Sequence, residues 1–218
     1  MKKIIKKSSP KSFDTWKADF LKQNGYVPDY SKLIGDEKQK IREKLYEEQY
    51  GLCCYCCKLL KYPYTNSEEF HIEHFRPKSN PNYSHLGLEY SNLHLLCSGY
   101  KSNRECCGHK KDDWFDEKLT VSPLEENVEE LFEYTIDGHI KAAGGNIRAI
   151  ETIKNLQLDS FNLQRQRKTA IYMAMFYDSI EEDYEEEKKS IIRDYKTAEN
   201  GVLKSFCNAV IYCIEKNN

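Results

Sequence analysis

Residues 51–57 read G-L-C-C-Y-C-C and contain two overlapping C-x-x-C pairs, Cys53 with Cys56 and Cys54 with Cys57. A C-x-x-C turn places two thiolates on one side of a tight knuckle, at the spacing of two corners of a tetrahedral Zn²⁺ site. The stretch therefore predicts a metal-bound turn and, around it, a small loop-rich module that the metal holds together.

The other cysteines support this interpretation, since seven of the nine fall within residues 53–107. A second pair is available from Cys97 with either Cys106 or Cys107. Four thiolates fill a tetrahedral site and leave no position for water, so such a zinc ion is structural. Buried inert thiols or a redox C-x-x-C pair are the alternatives. The expected zinc ligands are Cys53, Cys56, Cys97 and Cys107, and the choice within each doublet stays open.

The composition is that of an ordinary globular protein, with 39% hydrophobic and 31% charged residues in 218. The net charge of -2 gives no global electrostatic case for nucleic-acid binding, so any positive surface must be local. No apolar run is long enough for a membrane span. Five lysines near the N-terminus are followed by no apolar segment, which excludes a secretory signal. We expect a cytoplasmic protein with reduced thiols.

Two helices are predicted before the cysteines. Residues 1–11 are interpreted as a loose basic arm. Residues 12–22 place apolar side chains at helical spacing, with Ser12 as the N-cap. Residues 36–50 predict a second helix, capped by Asp36 and ended by Gly51.

The helical period disappears from residue 52 to about residue 115 and returns after Pro123. It then predicts helices over residues 147–156, 161–180 and 188–214, with Asn200-Gly201 splitting the last one. The expected fold class is α+β and mainly helical. Its three parts are a basic arm with N-terminal helices, a small zinc-bound core and a C-terminal helical region: residues 1–50, 51–116 and 117–218.

Histidines lie between the two cysteine pairs. Residues 70–79 read F-H-I-E-H-F-R-P-K-S, whose alternation predicts a short strand ended by the proline. On that strand His71 and Glu73 share a face, and His74 lies at the turn. Residues 90–97 read Y-S-N-L-H-L-L-C, and residues 107–111 read C-G-H-K-K.

Phosphodiester hydrolysis needs a base, a cation beside the phosphate, and a group that holds the base in position. His74 is the expected base, because neutral imidazole serves near pH 7. Glu73 and His109 are the expected ligands of a catalytic Mg²⁺ or Mn²⁺, and Asn92 would orient the base. Three cations are expected to contact phosphate: Arg76, Lys110 and Lys111.

Each of these residues alone has an ordinary structural explanation, and it is their order that favours a catalytic site. Three further histidines match no part of the pattern and are interpreted as structural: His85, His94 and His139. His71 is expected to hold a metal ligand in position without binding the metal itself. Direct binding of the metal by His71 is the less favoured alternative.

These motifs resemble the HNH nuclease family, whose ββα-metal fold carries an acid-His pair and an Asn on a hairpin and a final His on a helix. The strings C-C-Y-C, H-I-E-H-F-R-P-K-S, Y-S-N-L-H-L-L-C and C-C-G-H-K-K-D-D-W-F are similar to the HNH subfamily that includes PtuB. PtuB is the nuclease partner of the ATPase PtuA in Septu antiphage systems and in some retron defence systems. Residues 143–171 also resemble that subfamily.

The resemblance implies the same roles for His74, Glu73, Asn92 and His109, and the same four zinc ligands. It also implies a PtuA-type ATPase partner and, in a retron, a reverse transcriptase with its RNA–DNA product (msDNA). There are two departures: Gly108 separates the last Cys from His109, and nine residues instead of two separate the second cysteine pair. Asn103 is the alternative ligand to His109.

Two other functions fit part of the sequence. A non-catalytic zinc module that binds nucleic acid or protein explains the cysteines and lysines, but not the order of the acid-His pair, Asn92 and His109. A nuclease with tRNA or another RNA as substrate uses the same chemistry as one that cuts DNA. No base-reading helix and no aromatic RNA platform distinguishes the two substrates.

Overall fold

The computed structural model of the chain describes residues 1–60, 70–97, 106–176 and 184–216. Its fold is α+β, with about half of the residues in helices and two small antiparallel sheets. Among the described helices, none is long and apolar enough to cross a membrane. Asn103 lies outside the described residues.

Helix α1 spans Lys11–Asn24 and α2 spans Gly35–Glu48, so both helices form where the apolar spacing predicts them. The predicted caps are wrong. The N-cap positions are Pro10 and Ile34, where the backbone is extended. Neither side chain makes a capping hydrogen bond to its helix. Asp36 lies inside the first turn of α2, where its charge favours the positive end of the helix dipole.

The N-terminal segment is not a loose arm, because it packs into the molecule. Met1 and Ile4 are buried, and the Ile4 amide donates to the carbonyl of Pro123. Lys6 bonds the carbonyl of Leu93 at 2.7 Å and forms an ion pair with Glu48 at 3.0 Å. The segment buries Met1 and Ile4 while Ile5 is exposed, and the surrounding lysines conceal this packing in the composition.

The central module contains a hairpin of β1 (Phe70–His74) and β2 (Leu93–Cys97), paired antiparallel with His74 opposite Leu93. Helix α3 follows as a single turn, Gly108–Lys111. Gln49, just after α2, fastens the hairpin from outside. Its side-chain oxygen accepts from the amide of Leu95 at 2.7 Å, and its nitrogen donates to the Leu95 carbonyl at 2.8 Å.

Within residues 117–176 and 184–216 the structure has four α-helices: α4 (Ile147–Asn155), α5 (Phe161–Phe176), α6 (Tyr184–Lys196) and α7 (Cys207–Lys216). The split near Asn200-Gly201 is confirmed, since both residues have positive φ. The prediction that the chain is helical throughout after Pro123 is wrong. Strands β3 (Phe132–Tyr134) and β4 (Ile140–Ala142) form a second hairpin there.

One cluster of buried residues joins all these parts. It contains side chains from the N-terminal segment, the first hairpin and the C-terminal helices: Met1, Phe13, Leu45, Tyr55, Leu95, Val128, Leu163 and Val210. The cysteine knuckle therefore lies against the same core as the helices that flank it.

Candidate metal centre and adjoining histidine site

Four buried cysteines meet between the knuckle, the end of β2 and the start of α3: Cys53, Cys56, Cys97 and Cys107. Their sulfur atoms all lie within 4.8 Å of one another. These are the four cysteines expected as zinc ligands, and their placement resolves the choice that the sequence left open within each doublet. In the described part of the chain, no second group of three or more metal-binding side chains comes together in this way.

The distances between the sulfurs fit a tetrahedral zinc site. Cys53 Sγ lies 3.9 Å from Cys107 Sγ, and Cys97 Sγ lies 3.7 Å from both Cys56 Sγ and Cys107 Sγ. With Zn–S bonds of about 2.3 Å, the edge of a ZnS₄ tetrahedron is about 3.8 Å. A disulfide needs sulfurs only about 2.05 Å apart, and all nine cysteines are free. The four thiols therefore could hold a metal ion such as zinc.

The knuckle is shaped by its own backbone. Leu52 and Leu59 form an antiparallel bridge, and between them the Cys53 amide donates to the carbonyl of Lys58 at 2.8 Å. Cys57 closes the turn with φ of 62° and donates to the Cys53 carbonyl. This turn directs Cys53 and Cys56 to the same side, as a metal knuckle requires.

The second pair of ligands comes from two different elements. Cys97 ends β2, and Cys107 precedes α3 with φ of 56°. The Cys107 amide donates to the carbonyl of Leu156 at 2.8 Å, which ties the metal centre to the C-terminal region. Gly108 follows because space is short there: a Cβ atom would lie 2.5 Å from Leu96 Cδ2 and 3.4 Å from Glu73 Oε2. The glycine that departs from the family pattern thus lets α3 approach the hairpin.

The remaining cysteines have other environments. Burial raises the pKa of Cys54 well above its ordinary range, and it raises the pKa of Cys57 to about 11. Cys57 packs with Leu52, Leu203 and Cys207 in a separate apolar cluster. Cys54 and Cys57 lie outside the group of four sulfurs, and this position distinguishes them from Cys53 and Cys56.

Glu73 is held by two neighbours that the sequence analysis did not connect with it. Its Oε1 atom accepts from the Tyr55 hydroxyl at 2.9 Å and pairs with Lys111 Nζ at 2.9 Å. Tyr55 lies in the knuckle, and Lys111 is the last residue of α3. The carboxylate is therefore fixed from the metal centre and from the helix, and Oε2 is the oxygen that faces the Gly108 side of the site.

Lys111 was expected to contact phosphate, but its side chain is directed into the protein. Its side chain is 1% exposed, and its ammonium group also donates to the carbonyl of His74 at 3.3 Å. The single turn of α3 directs Lys111 inward, whereas Lys110 is exposed. Arg76 is half-buried, and its guanidinium lies 5.5 Å from the centroid of the Phe115 ring.

His74 lies at the end of β1 and is 7% exposed. Its Nε2 atom is 3.0 Å from the carbonyl oxygen of Gly87. A carbonyl only accepts, so Nε2 carries the proton and Nδ1 carries the lone pair. Burial lowers the pKa of His74 to about 4, so the ring is neutral near pH 7. The His74 ring meets Tyr30 edge-on, with the ring centroids 4.4 Å apart.

Asn92 fastens the two sides of the loop between β1 and β2. Its side-chain oxygen accepts from the Arg76 amide at 2.8 Å, and its nitrogen donates to the carbonyls of Arg76 and Leu86 at 3.0 and 3.2 Å. The Asn92 carbonyl accepts from the Phe75 amide. Asn92 therefore fixes the backbone that follows His74 and the backbone that precedes Gly87. Its effect on the position of the His74 ring is indirect, through these two backbone segments.

His109 lies on α3 beside His71, with ring centroids 5.7 Å apart and planes nearly perpendicular. His71 shares a face of β1 with Glu73, so one side of the hairpin presents Glu73 and His71 to the helix that carries His109. Burial, the charge on His109 and those on Arg42 and Lys38 lower the pKa of His71. Imidazole nitrogens and carboxylate oxygens are donor types that bind divalent ions, although in the described part of the chain the donor atoms of these three residues do not meet as the four sulfurs do.

Of the three histidines that match no part of the motif, His94 is the most unusual. It lies on β2 opposite Glu73, is fully buried, and neither ring nitrogen has a hydrogen-bond partner among the described residues. Burial lowers its pKa well below the ordinary value. His139 instead bonds Asp159 through Nδ1 at 2.8 Å, far along the chain from the hairpin.

No protein-family model matches the chain, and no curated protein matches it. The motif strings and the geometry of the hairpin, the knuckle and α3 are the basis on which a function is proposed.

Proposed function

We propose that the protein is a metal-dependent endonuclease of the HNH, or ββα-metal, type. The observation that carries the proposal is the joint placement of the motif residues. Glu73 and His74 end the first strand, Asn92 fixes the loop before the second, and His109 lies on the short helix packed against them. A hairpin followed by a helix, built on a four-cysteine centre, is the arrangement that the family resemblance implies.

In this proposal the His74 ring is the general base. The Gly87 carbonyl fixes its tautomer, and the lone pair on Nδ1 accepts a proton from the attacking water. Because the pKa of His74 is about 4, the ring is in the basic form throughout the neutral range. Asn92 keeps the base in position through the loop backbone.

Glu73 Oε2 and His109 would hold the catalytic Mg²⁺ or Mn²⁺, and Tyr55 and Lys111 hold Glu73 in the orientation that leaves Oε2 available. When bound, such an ion neutralises charge on the phosphate and on the leaving oxygen. Lys110 and Arg76 remain the candidate phosphate contacts at the margin of the site.

The role in defence rests on the resemblance of the motif strings to PtuB-type nucleases. On that resemblance we propose a PtuA-type ATPase as the partner that restrains or activates cleavage. A retron reverse transcriptase with its msDNA would join the complex in the retron form of such a system.

The test is cleavage of plasmid DNA and total tRNA by the purified protein with Mg²⁺ or Mn²⁺, with and without a PtuA-type ATPase. His74→Ala is the test variant and His85→Ala the control, since His85 is an exposed histidine in the loop that follows β1. We expect His74→Ala to lower the rate by about 100-fold or more, since general-base catalysis contributes about 10² to 10⁴. The control should retain the rate.

A non-catalytic zinc module is the second candidate, and one observation favours it: Lys111 already neutralises Glu73. That function predicts no cleavage under any condition and equal nucleic-acid binding by wild type and His74→Ala. It would replace the nuclease proposal if both results were obtained with protein that contains one zinc ion per chain.

A further inference from the structure

Three cations lie around Tyr30, whose ring touches that of His74, and none of them has an acidic partner among the described residues. Lys38 and Arg42 lie one turn apart on α2, and Lys78 lies in the loop after β1. Within the described ranges none of these three side chains forms an ion pair. We call them the cation cluster.

The other cations on the same helix behave differently. Lys40 pairs with Glu37 at 2.6 Å, and Lys44 pairs with Glu47 at 2.7 Å. The difference follows from the spacing, because neither Lys38 nor Arg42 has an acid three or four positions away on α2. Arg42 Nε is also buried without a hydrogen-bond partner in the described part of the chain, so a buried donor on this side of the helix is left unused.

Tyr30 gathers the cluster beside the candidate base. Lys38 Nζ lies 5.2 Å and Lys78 Nζ lies 5.5 Å from the centroid of the Tyr30 ring, which itself touches the His74 ring edge-on at 4.4 Å. Burial raises the pKa of Tyr30 to about 12, so the phenol stays neutral and its ring can hold the two ammonium groups by cation–π attraction.

The charges in the cluster act on one another and on the site. Burial lowers the pKa of Lys38, and the charges on Arg42 and Lys78 lower it further. Like charges held this close destabilise one another unless an anion lies between them. Since the chain as a whole carries a net charge of -2, this positive surface is local and is directed at the histidine site.

We propose that Lys38, Arg42 and Lys78 bind the phosphodiester backbone of a nucleic-acid strand and direct it to His74. The inference deepens the proposed function and rests on it for the identity of the anion. Arg42 can grip a phosphate with two nitrogens, and the lysines act as point charges on adjacent phosphates. Two residues of the surface lie on α2 and the third lies in the loop between β1 and β2, so none of them lies on β1, β2 or α3 themselves.

The test is binding of a fluorescent 20-base-pair duplex and a single-stranded RNA, measured by anisotropy without added Mg²⁺ or Mn²⁺ over a range of KCl concentrations. The test variant is Lys38→Gln/Arg42→Gln/Lys78→Gln. The matched control is Lys17→Gln/Lys40→Gln/Lys44→Gln, which removes the same charge from lysines that are paired with acids. Zinc content and circular dichroism check that both variants fold. If the cluster variant does not fold, the single variant Lys78→Gln replaces it.

For the duplex, each phosphate contact contributes about 0.9 to the slope of log K against log salt. We expect the cluster variant to reduce that slope by about 2 to 3 and to weaken binding about tenfold or more at low salt, while the control changes neither. Equal binding and equal slopes for cluster and control variants would overturn the proposal. Wild type that binds neither nucleic acid but binds a poly-glutamate peptide would also overturn it, in favour of an acidic protein partner.

The two proposals fail in different ways. Cleavage assays with Mg²⁺ run beside the binding assay. If wild type binds through the cluster but cuts nothing, the surface is supported and the nuclease fails. If wild type cuts and the cluster variant binds and cuts as the control does, the nuclease is supported and the surface fails.

Discussion

The module formed by the four cysteines and the first hairpin differs from the C-terminal helical region in how much of its packing is polar. Around the hairpin, buried polar side chains make the connections: Gln49, His74, Asn92 and Lys111. In the helical region apolar side chains form most of the core, among them Leu163 and Ile171 of α5 and Val210 of α7, although the buried Arg167 also donates to the carbonyl of Gly138 there. Apolar packing tolerates gradual change, whereas a polar network loses its geometry when one member is removed. The difference indicates that a site with precise geometry depends on a polar network more than on apolar packing.

The largest test of this contrast removes a zinc ligand. We expect Cys97→Ser to lose zinc and the order of the hairpin, because a complete structural zinc site is worth about 10 kcal/mol or more of folding free energy. Cys54→Ser, a buried neighbour outside the four, should keep one zinc ion per chain. Metal analysis and amide exchange of β2 measure both effects. The contrast breaks if Cys97→Ser also abolishes the helical circular dichroism of the C-terminal region.

Removing one partner of the Glu73–Lys111 ion pair comes next. Lys111→Met leaves a carboxylate without its buried cation and should lower the free energy of unfolding by about 3 to 5 kcal/mol. Adding Glu73→Gln should restore part of that loss, because the uncompensated charge is then gone. Urea unfolding of the two single variants and the double variant gives the coupling. Additive losses would show that the pair contributes nothing.

A matched change in the helical region should have a purely apolar effect. Ile171 is fully buried in α5, and Ile171→Ala should cost about 2 to 5 kcal/mol through lost burial and the cavity it leaves. Zinc content should be unchanged, since Ile171 lies on a helix that carries none of the four clustered cysteines. Thermal unfolding and metal analysis test this. Zinc loss at room temperature would mean that the two regions do not differ in the way described.

The smallest effect depends on pH. Burial lowers the pKa of His74 to about 4 in the folded chain, against about 6.5 in an unfolded one. The contribution of the neutral ring is present above about pH 6.5 and is lost as the pH falls towards 4, at most about 3 kcal/mol. His74→Gln, which can still donate to the Gly87 carbonyl, should remove this part of the pH dependence. Urea unfolding between about pH 7.5 and 5 measures it, with His85→Gln as the control for an exposed site.

Much of the metal centre could be predicted from sequence because its geometry is local. The C-x-x-C turn directs two thiols by backbone constraint alone, and Cys53 and Cys56 lie as that spacing predicts. Lys111 could not be placed in the same way. Its neighbour Lys110 faces solvent, and only the packing of a four-residue helix against β1 decides which of two adjacent lysines lies inside.

Other features had signals that were not used. Asp137-Gly138 is a hairpin turn sequence between alternating residues, and it predicts the β3–β4 pair that the helical interpretation missed. Tyr55 had none, because its bond to Glu73 joins residues 18 positions apart through a fold that no spacing reveals. Lys38 and Arg42 stand out once acids are sought at helical spacing, since α2 offers them none.

The N-terminal segment has a consequence for how the chain reaches this fold. The carbonyl of Met1 accepts from the Asn208 side chain, 207 positions away, and the Ile4 amide bonds Pro123. During synthesis this segment leaves the ribosome long before its partners exist, so it must remain unpaired while most of the chain is made. Contacts of such separation slow the search for the native state. The contacts of this segment with α7 therefore form late in folding, after α7 itself has been made.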